Sequence, residues 1–226
     1  MIYGENDYPK ENIKYPPFIP AMLCAVESRF YQNPNFSKSI LGLGTGDGRF
    51  AKSTFTHNID CRVDPGFLTL RDAKKVTKYD LLINANGEKK PRPDKYFHAV
   101  FSNSVLEHIP NVDSVLKELF RVTKPNAFFY VPNQIYTKCL SITRHLDTLK
   151  IERLPKVYRQ FFNRISRHYH YLSPIEWESK FTVTGFNILE YWNYFSSYAL
   201  ATLEWVNYLG LPYSISKKYL VSGSIA

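Results

Sequence analysis

Two periods of apolar and polar residues take turns along the first 131 residues. Short, mostly apolar runs at Ser39 to Leu43, Ile59 to Val63, Tyr79 to Ile83, Phe97 to Phe101 and Ala127 to Val131 read as strands, the first and fourth of them buried. Between them apolar residues recur at helical spacing, over Arg49 to Phe55, Phe67 to Val76 and Val112 to Val122. The last carries the stripe Val112, Val115, Leu116, Leu119 and Phe120. Asp64-Pro65-Gly66, Asn84 to Gly87 and Lys124-Pro125-Asn126 supply the turns. A leading helix from Pro17 to Phe30 follows a Pro-rich arm. Strands alternating with helices predict a doubly wound α/β fold, with a parallel sheet covered on both faces by right-handed crossovers. Ligands of such sheets sit outside the carboxyl ends of the strands. Glycines 42 to 48, Asp64, Asn86 and Asn103 fall at those ends.

Beyond Val131 the pattern changes. Residues 132–172 are rich in Arg, His, Tyr and Phe. Ser173 to Phe181 reads as a helix, with Ser173 as cap, Pro174 at its first position and Glu176 completing a capping box. Gly185-Phe186 closes it. Asn187 to Tyr191 predicts a sixth strand, Ser197 to Leu209 a further helix, and Tyr219 to Ile225 a seventh strand or a frayed end. The expected organisation is one domain over 1–226: an arm and helix (1–36), a core (37–133), an insertion (134–172) and closing elements (173–226).

A net charge of +9 favours anionic partners, or marks an ordinary basic protein; the Lys and Arg residues are scattered rather than run together. Cys24, Cys61 and Cys139 form no CxxC pair, which argues against a disulfide framework or a structural zinc site and for a reducing, cytoplasmic setting. The polar start does not read as a signal peptide, and no stretch is apolar enough to span a bilayer.

Gly42-Leu43-Gly44-Thr45-Gly46-Asp47-Gly48 joins the first strand to a helix. Its glycines from Gly44 fall as GxGxG, not the GxGxxG of a pyrophosphate site. The spacing suits a loop curling under a nucleoside, or a plain strand-to-helix turn. Asp64 ends the second strand about twenty residues later. Its carboxylate can accept from ribose hydroxyls or cap the next helix. Asn84 to Gly87 can meet an adenine edge or serve as turn chemistry. A fourth motif runs from Phe97 through Ser102-Asn103-Ser104-Val105-Leu106-Glu107-His108-Ile109-Pro110.

Together with Arg121-Val122-Thr123-Lys124-Pro125, these motifs make the run from Ser39 to Asn133 resemble the class I methyltransferases, the ubiquinone- and menaquinone-type subgroup in particular. Ser173 to Trp177 and Gly185-Phe186 resemble that family's closing helix and strand. The resemblance implies a mostly parallel, seven-stranded Rossmann-like sheet with a helical or loop substrate lid at 134–172. It also implies S-adenosylmethionine over the glycine loop. Expected cofactor contacts are Gly42, Gly44, Thr45, Gly46, Asp64, Pro65, Asn86, Ser102 and Asn103. Three positions depart from the family. Gly42 and Asn86 stand where acids are usual, with Asp47 as a substitute for the first, and Phe97-His98 replaces Phe-Asp.

Methyl transfer from a sulfonium needs alignment and dryness but no metal, and an oxygen acceptor needs a base. His168, His170 and His108 are the candidates ahead of His145. In an extended His168-Tyr169-His170-Tyr171 both imidazoles would share one face. The expected acceptor is an oxygen or nitrogen of a small molecule, lipid or glycan precursor. An RNA methyltransferase, or a non-enzymatic protein with a degenerate site, are the alternatives. The basic insertion around Arg144, Arg153, Arg159, Arg164 and Arg167, and the helix holding Trp205, leave peripheral membrane contact and a homodimer open.

Overall fold

The computed structural model describes residues 18–31, 39–44, 46–89, 92–131, 153–165, 167–191, 196, 198–199, 201–202 and 205. The predicted alternation is present. Strands β1 (Ile40–Leu43), β2 (Ile59–Asp64), β3 (Tyr79–Asn84), β4 (Phe97–Ser102) and β5 (Thr123–Tyr130) form one sheet in the order β3-β2-β1-β4-β5. All four pairings are parallel. The order reverses between β1 and β4, which puts the topological switch point at the carboxyl end of β1.

Helices α1 (Phe18–Glu27), α2 (Arg49–Thr54), α3 (Phe67–Val76), α4 (Val112–Val122), α5 (Arg153–Ile165) and α6 (Pro174–Thr184) complete the described framework. One core cluster joins Leu41, Leu43, Cys61, Val63 and Val100 to the stripe of α4 and to Trp177 of α6. A second joins Ile40, Ala99 and Phe101 to Phe50 and Ala51 of α2 and to Tyr31. The two faces of β1 therefore bury against different helices, as its unbroken apolar run requires. Ser173 caps α6 by the predicted capping box, and Gly185 ends that helix in the left-handed region.

Five strands are present among the described residues. Asn187 to Tyr191, predicted as a sixth, pairs with no strand there and is largely exposed. The segment predicted as a seventh lies outside the described residues. Strand β5 starts at Thr123, earlier than predicted, but its pairing with β4 jumps from Thr123 to Phe128, so Lys124-Pro125-Asn126 does interrupt the ladder.

The chain divides into two compact units. The first is 1–134 with 168–189, and the second is 135–167 with 190–226. The sheet and the residues considered next belong to the first, and α5 to the second.

Candidate functional site

At the switch point β1 runs into the glycine turn. Gly44 and Gly46 both have φ near +60°, a conformation that carries no penalty for glycine alone. The Gly44 amide donates to the Val63 carbonyl at 2.8 Å, which ties the turn to β2. A Cβ on Gly44 would lie 2.4 Å from Cγ1 of Val105, whereas one on Gly46 would meet nothing within 4 Å. Thr45 lies outside the described residues. Gly42 is buried in β1, in register with Arg62 and Phe101. Asp47 is held by Arg49, whose Nε lies 3.0 Å from its Oδ2 and whose amide donates to its Oδ1 at 3.1 Å.

Asp64 closes β2 and is buried. Its Oδ1 accepts from the Gly66 amide at 2.8 Å and from the Thr69 hydroxyl at 2.9 Å, so it braces the turn into α3. Its Oδ2 accepts from Nη2 of Arg62 at 2.7 Å. Arg62 is 0% exposed, and the same Nη2 also donates to the Gly46 carbonyl. The guanidinium lies 5.5 Å from the Tyr79 ring centroid. One buried cation thus cross-links the glycine turn to the carboxylate beside it. Sequence reasoning missed this residue. The available signal was a charged residue inside a buried apolar run, which must find a partner.

A cleft of about 240 Å³ opens between these groups, lined by Gly44, Asp64, Pro65, Asn86, Val105 and His108 among others. Asn86 is exposed, and its side-chain oxygen accepts from the Glu88 amide at 3.1 Å. Asn84 donates to the Pro65 carbonyl at 3.0 Å and steadies the same rim. Ser102 and Asn103 follow at the end of β4. Ser102 Oγ and Asn103 Oδ1 are buried and have no hydrogen-bond partner among the described residues. Such orphaned groups cost free energy unless a ligand satisfies them. His98, the departure after Phe97, sits between the Ser39 hydroxyl at 2.7 Å and Nζ of Lys124 at 3.1 Å.

The histidines gather on the segment after β4. The His108 and His168 ring centroids are 5.1 Å apart. His170 donates through Nε2 to the Ile109 carbonyl at 2.9 Å, and the Tyr169 and His170 amides both donate to the Glu107 carbonyl. Tyr169 and Tyr171 are exposed, so the imidazoles face inward and the phenols outward, the alternation an extended segment predicts. His145 lies outside the described residues.

Glu107, which sequence reasoning did not single out, is 1% exposed, with neither carboxylate oxygen partnered among the described residues. Burial pushes its carboxyl up to about 7, and the nearby charge of Glu27 adds to this. Burial lowers the His168 imidazole to about 4, helped by neighbouring His108, so it is neutral at pH 7.

The two shifts act on stability in opposite directions. A raised carboxyl stabilises most below its unfolded value of 4.5 and loses that contribution as pH rises through 7. A lowered imidazole contributes fully above 6.5 and loses its contribution as pH falls towards 4. Within that span the wild-type contributions offset. His168→Gln is expected to unmask the carboxyl, with stability falling as pH rises from 4.5 to 7, at up to about 1.4 kcal/mol per pH unit. Glu107→Gln should show the reverse slope. Urea unfolding of the three proteins across pH 4–8 checks this, and parallel curves would contradict it.

Comparison with known proteins bears on the fold. Residues 41–131 match the family model described as a methyltransferase domain. Over 142 residues the chain is 28% identical to the ubiquinone/menaquinone biosynthesis C-methyltransferase of Vibrio cholerae. That alignment covers 59% of this chain and 54% of the relative, so the chain spans about half the length of the curated relatives it matches. Among solved structures, a SAM-dependent methyltransferase from Thermotoga maritima superposes with a TM-score of 0.55 at 18% identity, covering 75% of this chain and 73% of that one. A methyltransferase structure from Bacillus halodurans gives 0.53 at 18% identity, covering 74% and 70%. These likenesses establish a shared fold.

Proposed function

We propose that this chain, whose residues 41–131 match a methyltransferase domain, transfers a methyl group from S-adenosylmethionine to an oxygen or nitrogen of a small-molecule, lipid or glycan-precursor acceptor. The observation that carries the reading is the cleft at the switch point, where glycine backbone, Asp64 and Asn86 line one hollow. Its chemistry fits the nucleoside end of the cofactor. A carboxylate has about four lone-pair sites. Arg62, Gly66 and Thr69 fill three at Asp64, which leaves acceptor capacity for a ribose hydroxyl. Asn86 offers an amide to the adenine edge. The orphaned Ser102 Oγ and Asn103 Oδ1 lie just before Ser104 and Val105 of the lining rather than in it, and would serve the polar methionine end from there. With Asp47 committed to Arg49, its role as substitute for the acid missing at Gly42 has little support.

The cofactor supplies an electrophilic methyl group on a sulfonium. The chain's part is to hold the acceptor in line, exclude water and remove a proton where the acceptor loses one. Of the three candidate histidines His108 lines the cleft, so it is the base we assign, with the His168 ring packed beside it. His170 serves better as an anchor, since its Nε2 proton is committed to a carbonyl. A carbon acceptor, as the name of the Vibrio cholerae relative indicates for that protein, sheds a proton as a hydroxyl does, so the same base serves either acceptor.

Calorimetric titration tests the reading. S-Adenosylmethionine should bind in the micromolar range and be displaced by S-adenosylhomocysteine. Absence of heat at millimolar cofactor, with folded protein, would overturn it.

A further inference from the structure

Helix α5 belongs to the second unit and presents two unlike faces. Pro155 and Asn163 are buried on one side, with Tyr158, Arg159 and Phe162 half-buried beside them. On the other side Leu154, Val157 and Phe161 are 47%, 58% and 50% exposed. Their spacing of three and four residues draws a single apolar stripe along the helix. Exposed Arg153, Gln160 and Arg164 run along one flank of that stripe, with Lys156 beyond them. From Arg153 to Arg167 the sequence holds five cations and no acid. Tyr198 and Trp205, elsewhere in the same unit, are exposed as well.

We propose that this face of α5 is a docking surface for an anionic lipid bilayer. Both halves of the face are then satisfied: the apolar stripe enters the acyl boundary and the cations meet lipid phosphates. Other occupants fit less well. A second copy of the chain would set Arg153, Lys156 and Arg164 against their own counterparts in a two-fold contact. A nucleic acid would neutralise the cations but leave the apolar stripe wet. Exposed Tyr and Trp are also the aromatic residues that favour the headgroup level. No helix among the described residues is long and apolar enough to cross a membrane, so what is proposed is peripheral contact. This inference is independent of the methyl-transfer reading, and cofactor binding serves as its control.

Co-sedimentation of the full chain with vesicles tests it. The protein should pellet with phosphatidylcholine vesicles containing phosphatidylglycerol, less at high salt, and not with phosphatidylcholine alone. Phe161→Asp and Arg164→Glu should each weaken the association at least tenfold and leave S-adenosylmethionine affinity unchanged. Both positions are exposed, so the fold should survive, and circular dichroism verifies this. Three results would overturn the proposal: no association with anionic vesicles, association that survives both substitutions, or a dimer or RNA complex that Phe161→Asp dissolves while vesicle binding persists.

Discussion

Replacing Arg62 with methionine is expected to cost about 3–5 kcal/mol of stability, the range for removing one partner of a buried ion pair. The guanidinium is fully buried, and three groups depend on it: Oδ2 of Asp64, the Gly46 carbonyl and, at 3.4 Å, the Thr69 carbonyl. Methionine fills much of the volume but leaves the Asp64 carboxylate without its counter-charge. The double variant Arg62→Met with Asp64→Asn removes both charges and should recover most of the loss, because a buried pair adds little over a neutral replacement. Guanidinium unfolding of the single and double variants measures the difference. A loss below about 1 kcal/mol in the single variant, typical of an exposed pair, would show that the charge is not buried as described. For the same reason Asp64→Ala does not cleanly probe ribose binding. It strands Arg62 and frees Gly66 and Thr69, so any loss of cofactor affinity would be mixed with a loss of fold.

Gly44→Ala should be the more damaging change in the glycine turn. Two costs add there. The left-handed backbone penalises an L-residue by about 1–2 kcal/mol. The new methyl would also sit inside contact distance of Val105, and crowding of this kind costs about 1–3 kcal/mol. Val105 can yield only by moving the cleft wall that it forms, so S-adenosylmethionine affinity should fall at least about tenfold, or 1.4 kcal/mol. Gly46→Ala shares the backbone penalty, but its methyl enters open space. Thermal melts should therefore rank Gly44→Ala below Gly46→Ala, and Gly46→Ala below wild type. Equal melting temperatures for the two variants would remove Val105 from the account.

The framework was legible because its signals are local. Strands β1 to β4 are short, mostly apolar runs that end at a turn residue, and α3 and α4 begin and end where the pattern placed them. The site was legible as positions rather than as contacts. Asp64 and Gly44 line one hollow as expected, yet the sequence alone could not show that Asp64 already carries three partners. Arg62 escaped notice because polarity along a strand usually signals solvent, and only the parallel partner on each side of β2 makes that position interior. Glu107 escaped for a similar reason: its burial comes from elements distant in sequence. The strand expected at Asn187 to Tyr191 rested on a short apolar run, but Ile188, Leu189 and Tyr191 are exposed and no described strand pairs with them.

One carbonyl, that of Glu107, receives the amides of both Tyr169 and His170, while the His170 ring holds the next turn through Ile109. These three bonds share one short stretch of backbone, Glu107 to Ile109. The strip bearing His168 is thereby tied at two successive residues to the segment that carries His108, which fixes the side each ring takes: imidazoles against that segment, phenols in solvent.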